Sequence, residues 1–117
     1  MLTIVSRRRT FGPVPLDPIF QALASEPRRD IVTLLSRGPV TTPVIGRQFE
    51  FSKQALSRHV GLLDAAGLID RRRQGRVHEL SLLPAPLSEA AGWLTHVRRA
   101  WEANLDRLDA VLRSTGV

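Results

Sequence analysis

Four residues of the segment 52–66 have side chains and a spacing suited to reading the edges of nucleic-acid bases. Gln54, Ser57, Arg58 and Gly61 fall at i, i+3, i+4 and i+7, so in a helix they share one face. Glutamine can pair bidentately with adenine and arginine with guanine, while serine contacts either bases or phosphates. A polar stripe can also be a plain solvated face. The position of this stripe within the pattern described next favours a surface that enters a DNA groove.

The helix that carries this stripe is predicted to span about residues 52–66, with Ser52 as its N-cap. Its core-facing side is formed by residues at i, i+4 and i+7: Leu56, Val60 and Leu63. A shorter helix is predicted over residues 43–49. The turn between the two has helix-turn-helix spacing, although it lacks the glycine often found there. Gly61 costs its helix roughly 1 kcal/mol relative to alanine, but the missing side chain would allow close approach to a groove or a neighbouring helix.

An arginine-rich segment follows over about residues 68–82 and is predicted to form a β-hairpin. Strands over residues 70–73 and 76–82 flank Gln74-Gly75, which suits a tight turn. Four arginines crowd this hairpin: Arg71, Arg72, Arg73 and Arg76. Charged residues at a sheet edge can also serve to prevent pairing with other strands. Beside a helix that enters a groove, they favour contacts with DNA phosphates.

The last predicted helix covers about residues 87–113, after Pro84 and Pro86 end the sheet. Its apolar residues are spaced 3, 4, 4, 3 and 4 apart: Leu94, Val97, Trp101, Leu105, Leu108 and Leu112. A helix of about 26 residues is roughly 39 Å long, which is more than a domain of this size requires for its own core. The stripe, with Trp93 beside it, predicts a helix–helix dimer seam. The alternative is packing wholly on its own domain.

Length and composition indicate one strongly basic globular domain. The chain has 117 residues and a net charge of +6, which favours a polyanionic partner. Of its 17 basic residues, 16 are arginine and the other is Lys53. Short helices near Leu16 and after Ser25 precede the helix-turn-helix, and Ile19, Phe20 and Leu23 give the first of them an apolar stripe. We expect a mainly α (α+β) fold over residues 16–117: a winged helix-turn-helix with a two-stranded β-hairpin wing and a long C-terminal dimerisation helix.

Residues 1–15 are predicted to be a basic N-terminal extension that carries the run Arg7-Arg8-Arg9. It is interpreted either as a frayed, solvated terminus or as a basic arm laid along phosphates or in a minor groove.

Several classes of function are excluded or disfavoured. The absence of cysteine excludes disulfides and thiolate metal sites. The three histidines, His59, His78 and His96, do not have the spacing of a ligand pair, so neither a metal nor another cofactor is expected. Because there is no glycine-rich phosphate loop, nucleophile motif or evident carboxylate pair, we do not expect an enzyme. No apolar run approaches the roughly 18 residues that span a bilayer, and we expect a cytoplasmic protein.

Two stretches of the chain carry a family resemblance. FQALASEPRRDIVTLL and SRHVGLLDAAGLIDRRRQGRVHELSL resemble the ArsR-type winged helix-turn-helix regulators, with PRRxI, SRHxxxLxxAGL and the hairpin GR in the family's order. The tail WLTHVRRAWEANLDRLDAVL looks like that of a metal-independent branch. The resemblance covers residues 18–82 most closely.

This resemblance implies a homodimer that binds a short inverted repeat in double-stranded DNA and usually represses transcription. It implies that the first and last helices form the dimer interface, through Ile19, Phe20, Leu23, Trp93, Leu94, Val97, Trp101, Leu105, Leu108 and Leu112. It also implies DNA contacts from the recognition helix through Ser52, Lys53, Gln54, Ser57, Arg58, His59 and Gly61, and from the wing through Arg71, Arg72, Arg73 and Arg76.

The chain departs from the family pattern where metals are sensed. Metal-sensing members carry cysteines in the helix before the recognition helix, where this chain reads TTPVIGRQF. Others use aspartate and histidine pairs on the terminal helix, where only His96 and Glu89 are found. Metal sensing is therefore not carried over. Two alternatives stay open: an interaction module without specific DNA reading, and a regulator gated by a small apolar effector at the dimer interface.

Overall fold

The computed structural model describes residues 15–116, which form five helices and a three-stranded antiparallel sheet. The elements are α1 (Leu16–Leu23), α2 (Glu26–Leu35), β1 (Val40–Thr41), α3 (Thr42–Phe49), α4 (Lys53–Ala65), β2 (Ile69–Gln74), β3 (Val77–Leu82) and α5 (Pro84–Ser114). The predicted mainly helical winged helix-turn-helix with a long terminal helix is confirmed. The basic extension predicted over residues 1–15 lies outside the described residues, apart from Pro15.

Local sequence signals set the ends of the helices that matter for the site. The Ser25 hydroxyl accepts the Arg28 amide at 3.5 Å and begins α2, and the Ser52 hydroxyl accepts the Ala55 amide at 3.1 Å and begins α4. Gly67, at φ +75°, ends α4 in a Schellman arrangement. Its amide donates to Asp64 O at 2.9 Å, and the Leu68 amide donates to Leu63 O at 3.0 Å.

The turn between α3 and α4 explains how a helix-turn-helix forms here without glycine. Glu50 adopts the left-handed conformation, φ 57° and ψ 40°, which a glycine would normally occupy. The turn is held by a hydrogen bond from the Phe51 amide to Gly46 O at 3.0 Å and by the Phe49 and Phe51 rings, whose centroids lie 5.6 Å apart. Tertiary packing therefore compensates for the unfavourable backbone conformation.

The sheet has the order β1-β3-β2, with β3 in the centre. The predicted hairpin is confirmed, but the position predicted for its turn is wrong by one residue. Gln74 pairs with Val77, so the turn consists of Gly75 and Arg76. Gly75 has φ +63°, as the first central residue of a type II′ turn requires. The sheet also includes β1, which pairs with β3 through two residues and is too short for its pattern to be recognised in the sequence.

The terminal helix α5 begins at Pro84, three residues before the position predicted from the prolines. Proline is compatible with a first helical turn, because the first four amides of a helix lack intrahelical partners anyway. The helix has 31 residues, which corresponds to about 46 Å at 1.5 Å per residue.

The core lies between α1, α2, α3, α4 and the inner face of the sheet. Its fully buried side chains are Ile19, Ile31, Ile45, Val60, Leu63, Leu68 and Leu80. The assignment of Ile19 to the dimer interface is wrong, since its exposure is 0% and the domain's own core covers it completely. Ala90 is the last buried residue of α5, and beyond it the helix is largely exposed. None of the helices in residues 15–116 combines the length and the apolar character that crossing a membrane would require.

Candidate nucleic-acid interface

The outward face of α4 presents the polar stripe that the sequence indicates. Lys53, Gln54, Ser57, Arg58 and Gly61 are all exposed. The opposite face of the helix is anchored in the core by Val60 and Leu63. The structure therefore brings these five residues together on one accessible helical surface. Ser52 begins the same helix, and its hydroxyl, although it accepts the Ala55 amide, keeps a proton that it can donate.

Gly61 lies in the middle of this surface, and a side chain there would meet only open space. A Cβ atom built at Gly61 has no heavy atom within 4 Å. The glycine is therefore not required by packing inside the protein. It leaves a gap in the side-chain cover of α4, through which another molecule can approach the helix backbone closely.

His59, which was predicted to contact DNA, does not belong to this exposed surface. The next position after Arg58 lies about 100° further around the helix, and this turns the imidazole inward to 7% exposure. The ring packs against Phe51 at a centroid distance of 5.2 Å, and its Nδ1 lies 3.4 Å from Nη1 of Arg28. Burial and then the positive charges of Arg28 and Arg58 lower the pKa of the imidazole below its usual 6.5.

Arg28 is a residue whose role was not recognised in the sequence. Its guanidinium donates from Nε to Ala22 O at 2.7 Å and from Nη2 to Gln21 O at 3.3 Å, in addition to its contact with His59. The PRRxI motif contains this arginine, but nothing in a linear pattern shows that it reaches a histidine 31 positions away.

The wing arginines divide into two pairs according to their surroundings. Arg71 approaches Asp64 of α4 with an Nη1–Oδ2 distance of 3.5 Å, and Arg73 donates from Nε to Gly75 O at 2.9 Å in the hairpin turn. The first contact links the wing to α4, and the second lies within the hairpin turn. By contrast, Arg72 in β2 and Arg76 in the turn are exposed, and neither forms an ion pair among residues 15–116. Arg72 and Arg76 are therefore the wing cations most available to an external anion.

An apolar surface runs along the exposed part of α5. It consists of Leu94, Val97, Trp101, Leu105, Leu108, Val111 and Leu112, a set we call the α5 apolar face. These side chains are between 44% and 60% exposed, so the alternative that α5 packs wholly on its own domain is wrong. Val111 was not predicted to belong to this stripe, because the helical spacing continues from Leu108 directly to Leu112. Trp93 flanks this face and makes an edge contact with Phe20 at 5.9 Å, while Leu23 packs partly against the core.

Metal-ligating groups do not cluster in the described part of the chain. Within residues 15–116, no three side chains of His, Asp, Glu or Cys come together in a way that could hold an ion. The features of the site are therefore basic and polar hydrogen-bonding groups on α4 and the wing, and an apolar surface on α5.

Comparisons with known proteins agree with this geometry. Residues 27–78, from α2 into β3, match the model of the MarR family, but this segment is less than half of the chain. The transcriptional repressor SdpR of Bacillus subtilis is 30% identical over 79 residues, which cover 68% of this chain and 88% of that protein. The arsenical resistance operon repressor of Escherichia coli is 30% identical over 98 residues, which cover 82% and 80% respectively.

A solved structure shows the same relationship in three dimensions. An ArsR-like transcriptional regulator from Rhodococcus sp. RHA1 superposes with a TM-score of 0.71 at 28% identity, over 82% of this chain and 91% of that one. The longer matches decide the family, because they extend well beyond the segment that the MarR model covers. The chain is a DNA-binding transcriptional regulator and belongs to the ArsR family of winged helix-turn-helix proteins.

Proposed function

We propose that this protein is a homodimeric repressor that binds an inverted-repeat operator, with α4 in the major groove and the wing on the flanking phosphates. The observation that carries the proposal is the exposed row of Gln54, Ser57 and Arg58 on α4, beside the free guanidinium groups of Arg72 and Arg76. Repression is supported by the two relatives described above, both of which are named as repressors.

Base reading is assigned to the centre of α4. Arg58 has the geometry to donate two hydrogen bonds to guanine, and Gln54 can donate to and accept from adenine. Ser57 lies between them and can contact a base or a phosphate. The open space at Gly61 allows the helix backbone to lie close to the groove. Ser52 and Lys53 lie at the N-terminus of α4, where the positive end of the helix favours a phosphate.

The phosphate contacts that position the protein on DNA are assigned mainly to the wing. Arg72 and Arg76 are exposed and without ion pairs among residues 15–116, so phosphates can approach them without breaking an existing contact. Arg71 and Arg73 are less available to phosphates in this proposal, because Arg71 pairs with Asp64 of α4 and Arg73 donates to Gly75 O within the hairpin turn.

Dimerisation is assigned to the α5 apolar face. From Leu94 to Leu112 this face is about 27 Å long at 1.5 Å per residue, and its large apolar side chains lie exposed in the single chain. Exposed apolar patches of this kind usually mark interaction sites. A second copy, with Phe20 and Trp93 at the edge of the contact, would cover it and would present two α4 helices to two half-sites.

The test begins with selection of bound sequences from a pool of random duplexes. We expect an inverted repeat whose half-sites lie about one helical turn apart, and an affinity that falls steeply with salt. Arg58→Ala is the reading variant, and Arg99→Ala on the exposed side of α5 is the charge-matched control. Equal affinity for selected and scrambled duplexes would contradict specific reading and favour the interaction-module alternative.

Gating by an apolar effector is a second candidate, because two exposed tryptophans mark the surface on which such a molecule would bind. Trp93 is 47% exposed and Trp101 is 60% exposed. Thermal unfolding would be measured with a panel of apolar compounds, since a ligand of the folded state raises the midpoint. A panel without any stabilising compound would argue against this candidate. As a regulator of transcription, the protein is proposed to act in the cytoplasm.

A further inference from the structure

The guanidinium of Arg28 connects three helices at one point. Its Nε and Nη2 donate to Ala22 O and Gln21 O at the C-terminal end of α1. Its Nη1 lies 3.4 Å from Nδ1 of His59 on α4, and its backbone amide is capped by Ser25 at the start of α2. The last carbonyls of a helix lack intrahelical partners, so Arg28 satisfies the end of α1 and contacts the recognition helix with the same planar group.

His59 can accept this contact only as a neutral ring. A guanidinium has donors and no acceptor, so Nδ1 must present its lone pair and the ring proton must lie on Nε2. Two cations act on the ring, Arg28 from α2 and Arg58 from its own helix, while α1 contributes only the carbonyls that Arg28 binds. No carboxylate in residues 15–116 lies within ion-pair distance of the imidazole. A proton on His59 would therefore add a buried positive charge that nothing balances.

We propose that Arg28 and His59 are positioning residues for DNA reading, and that the neutral His59 ring holds α4 in the orientation that binds the operator. His59 directly follows Arg58 on α4, so a rotation or tilt that breaks the contact with Arg28 also displaces the base-reading side chain. This inference rests on the DNA-reading role proposed for α4. It makes the protein sensitive to pH, because protonation of His59 opposes the bound orientation.

The direction of the pH effect separates positioning from simple charge attraction. Protonation of His59 adds positive charge, and positive charge alone strengthens attraction to phosphates. A loss of affinity on acidification that is confined to the operator is therefore expected from misplacement of α4 and not from charge attraction. The lowered pKa of His59 keeps the ring neutral at neutral pH. Because the unfolded chain protonates near 6.5 and the folded protein only at lower pH, folding stability also falls as the pH drops through 6.5.

The experiment measures affinity for two duplexes, the best sequence recovered from the random pool and a scrambled duplex of the same composition. The full-length protein would be titrated between about pH 7.5 and about pH 5.5 at constant salt. We expect operator affinity to fall progressively as the pH drops below about 6.5, and by less than about tenfold at about pH 5.5, because the pKa of His59 lies below 6.5 and its protonation is incomplete at that pH. Affinity for the scrambled duplex should stay constant or rise.

Substitutions at His59 and Arg28 test whether the pH dependence of operator affinity comes from His59 and not from His78 or His96. His59→Asn places an amide oxygen near the position of Nδ1 and cannot be protonated. It should keep operator affinity at about pH 7.5 and show a smaller fall on acidification than the wild-type protein at every pH of the series. His59→Leu fills the space but has no hydrogen-bond acceptor. Its operator affinity at about pH 7.5 should be about tenfold lower than that of the wild-type protein. Arg28→Lys keeps the charge but not the planar fork, and should lose operator affinity in the same way.

Two results would overturn the inference: a His59→Asn protein with the wild-type pH profile, or a folded His59→Leu protein with full operator affinity. Circular dichroism verifies that each variant folds. If His59→Leu does not fold, the pH dependence of operator affinity in His59→Asn tests the inference by itself. Wild-type protein that binds both duplexes equally at about pH 7.5 would overturn the proposed function, and this inference with it.

Discussion

The carboxylate of Asp64 on α4 lies 3.5 Å from the guanidinium of Arg71 on β2, so an ion pair links the recognition helix to the wing. The two side chains are 44% and 35% exposed, respectively, and exposed pairs contribute at most about 1 kcal/mol to stability. The pair therefore acts mainly through local charge. It keeps one arginine of the wing engaged inside the protein and places a carboxylate beside the surface proposed to bind DNA.

Asp64→Asn is expected to leave folding stability nearly unchanged and to increase affinity for all duplexes. The substitution removes a negative charge and frees Arg71 for a phosphate, so the slope of log affinity against log salt should steepen by about one. Salt titration on selected and scrambled DNA measures both effects. Asp109→Asn is the matched control, because it breaks the other close Asp–Arg pair of the described chain, with Arg113 on α5. An unchanged salt slope for Asp64→Asn would contradict a wing that faces phosphates.

Arg58→Ala and Arg72→Ala should separate reading from positioning. Removing a bidentate contact with guanine costs about 1–3 kcal/mol of discrimination and relaxes specificity at one base pair. Loss of Arg72 should instead weaken binding to all sequences similarly and reduce the salt slope by about one. Repeating the random-duplex selection with each variant distinguishes these outcomes. The roles assigned to the two arginines would have to be exchanged if Arg72→Ala changed the selected sequence and Arg58→Ala did not.

Gly61→Ala should stabilise the protein and weaken operator binding at the same time. The added methyl group has no heavy atom within 4 Å to clash with, and alanine is favoured over glycine in a helix by about 1 kcal/mol. Thermal unfolding should therefore show a higher midpoint. If α4 lies close to the groove, the same methyl group obstructs it. A variant that is more stable and binds the operator normally would show that the backbone at Gly61 does not approach DNA.

Trp101→Glu should convert the proposed dimer into monomers without unfolding them. Trp101 is exposed in the single chain, so a charge there costs little until a second α5 packs against it. Sedimentation equilibrium would report the mass, and operator affinity should fall sharply because one protomer binds only one half-site. Ala103→Glu is the control, since it adds the same charge to an exposed position outside the α5 apolar face. A Trp101→Glu protein with the mass of a dimer would place the interface elsewhere.

The sequence by itself determined the five helices, the hairpin and the polar and apolar stripes that the helices carry. The caps at Ser25 and Ser52, the glycine stop at Gly67 and the polar stripe on α4 depend on residues close together in the chain, so local rules predict them. The long stripe on α5 is of the same kind, since a helical repeat that exceeds one core is visible without coordinates.

Only the tertiary structure decided which side chains are already engaged within the protein. Periodicity assigns a residue to a face, but it does not show what lies opposite that face. The sequence therefore could not show that Ile19 is covered by the core, that His59 meets an arginine from α2, or that Arg71 reaches back to α4. These contacts join separate elements, up to 31 positions apart in the chain for Arg28 and His59. Their existence depends on how helices and strands pack, because packing alone brings together groups that local sequence places independently.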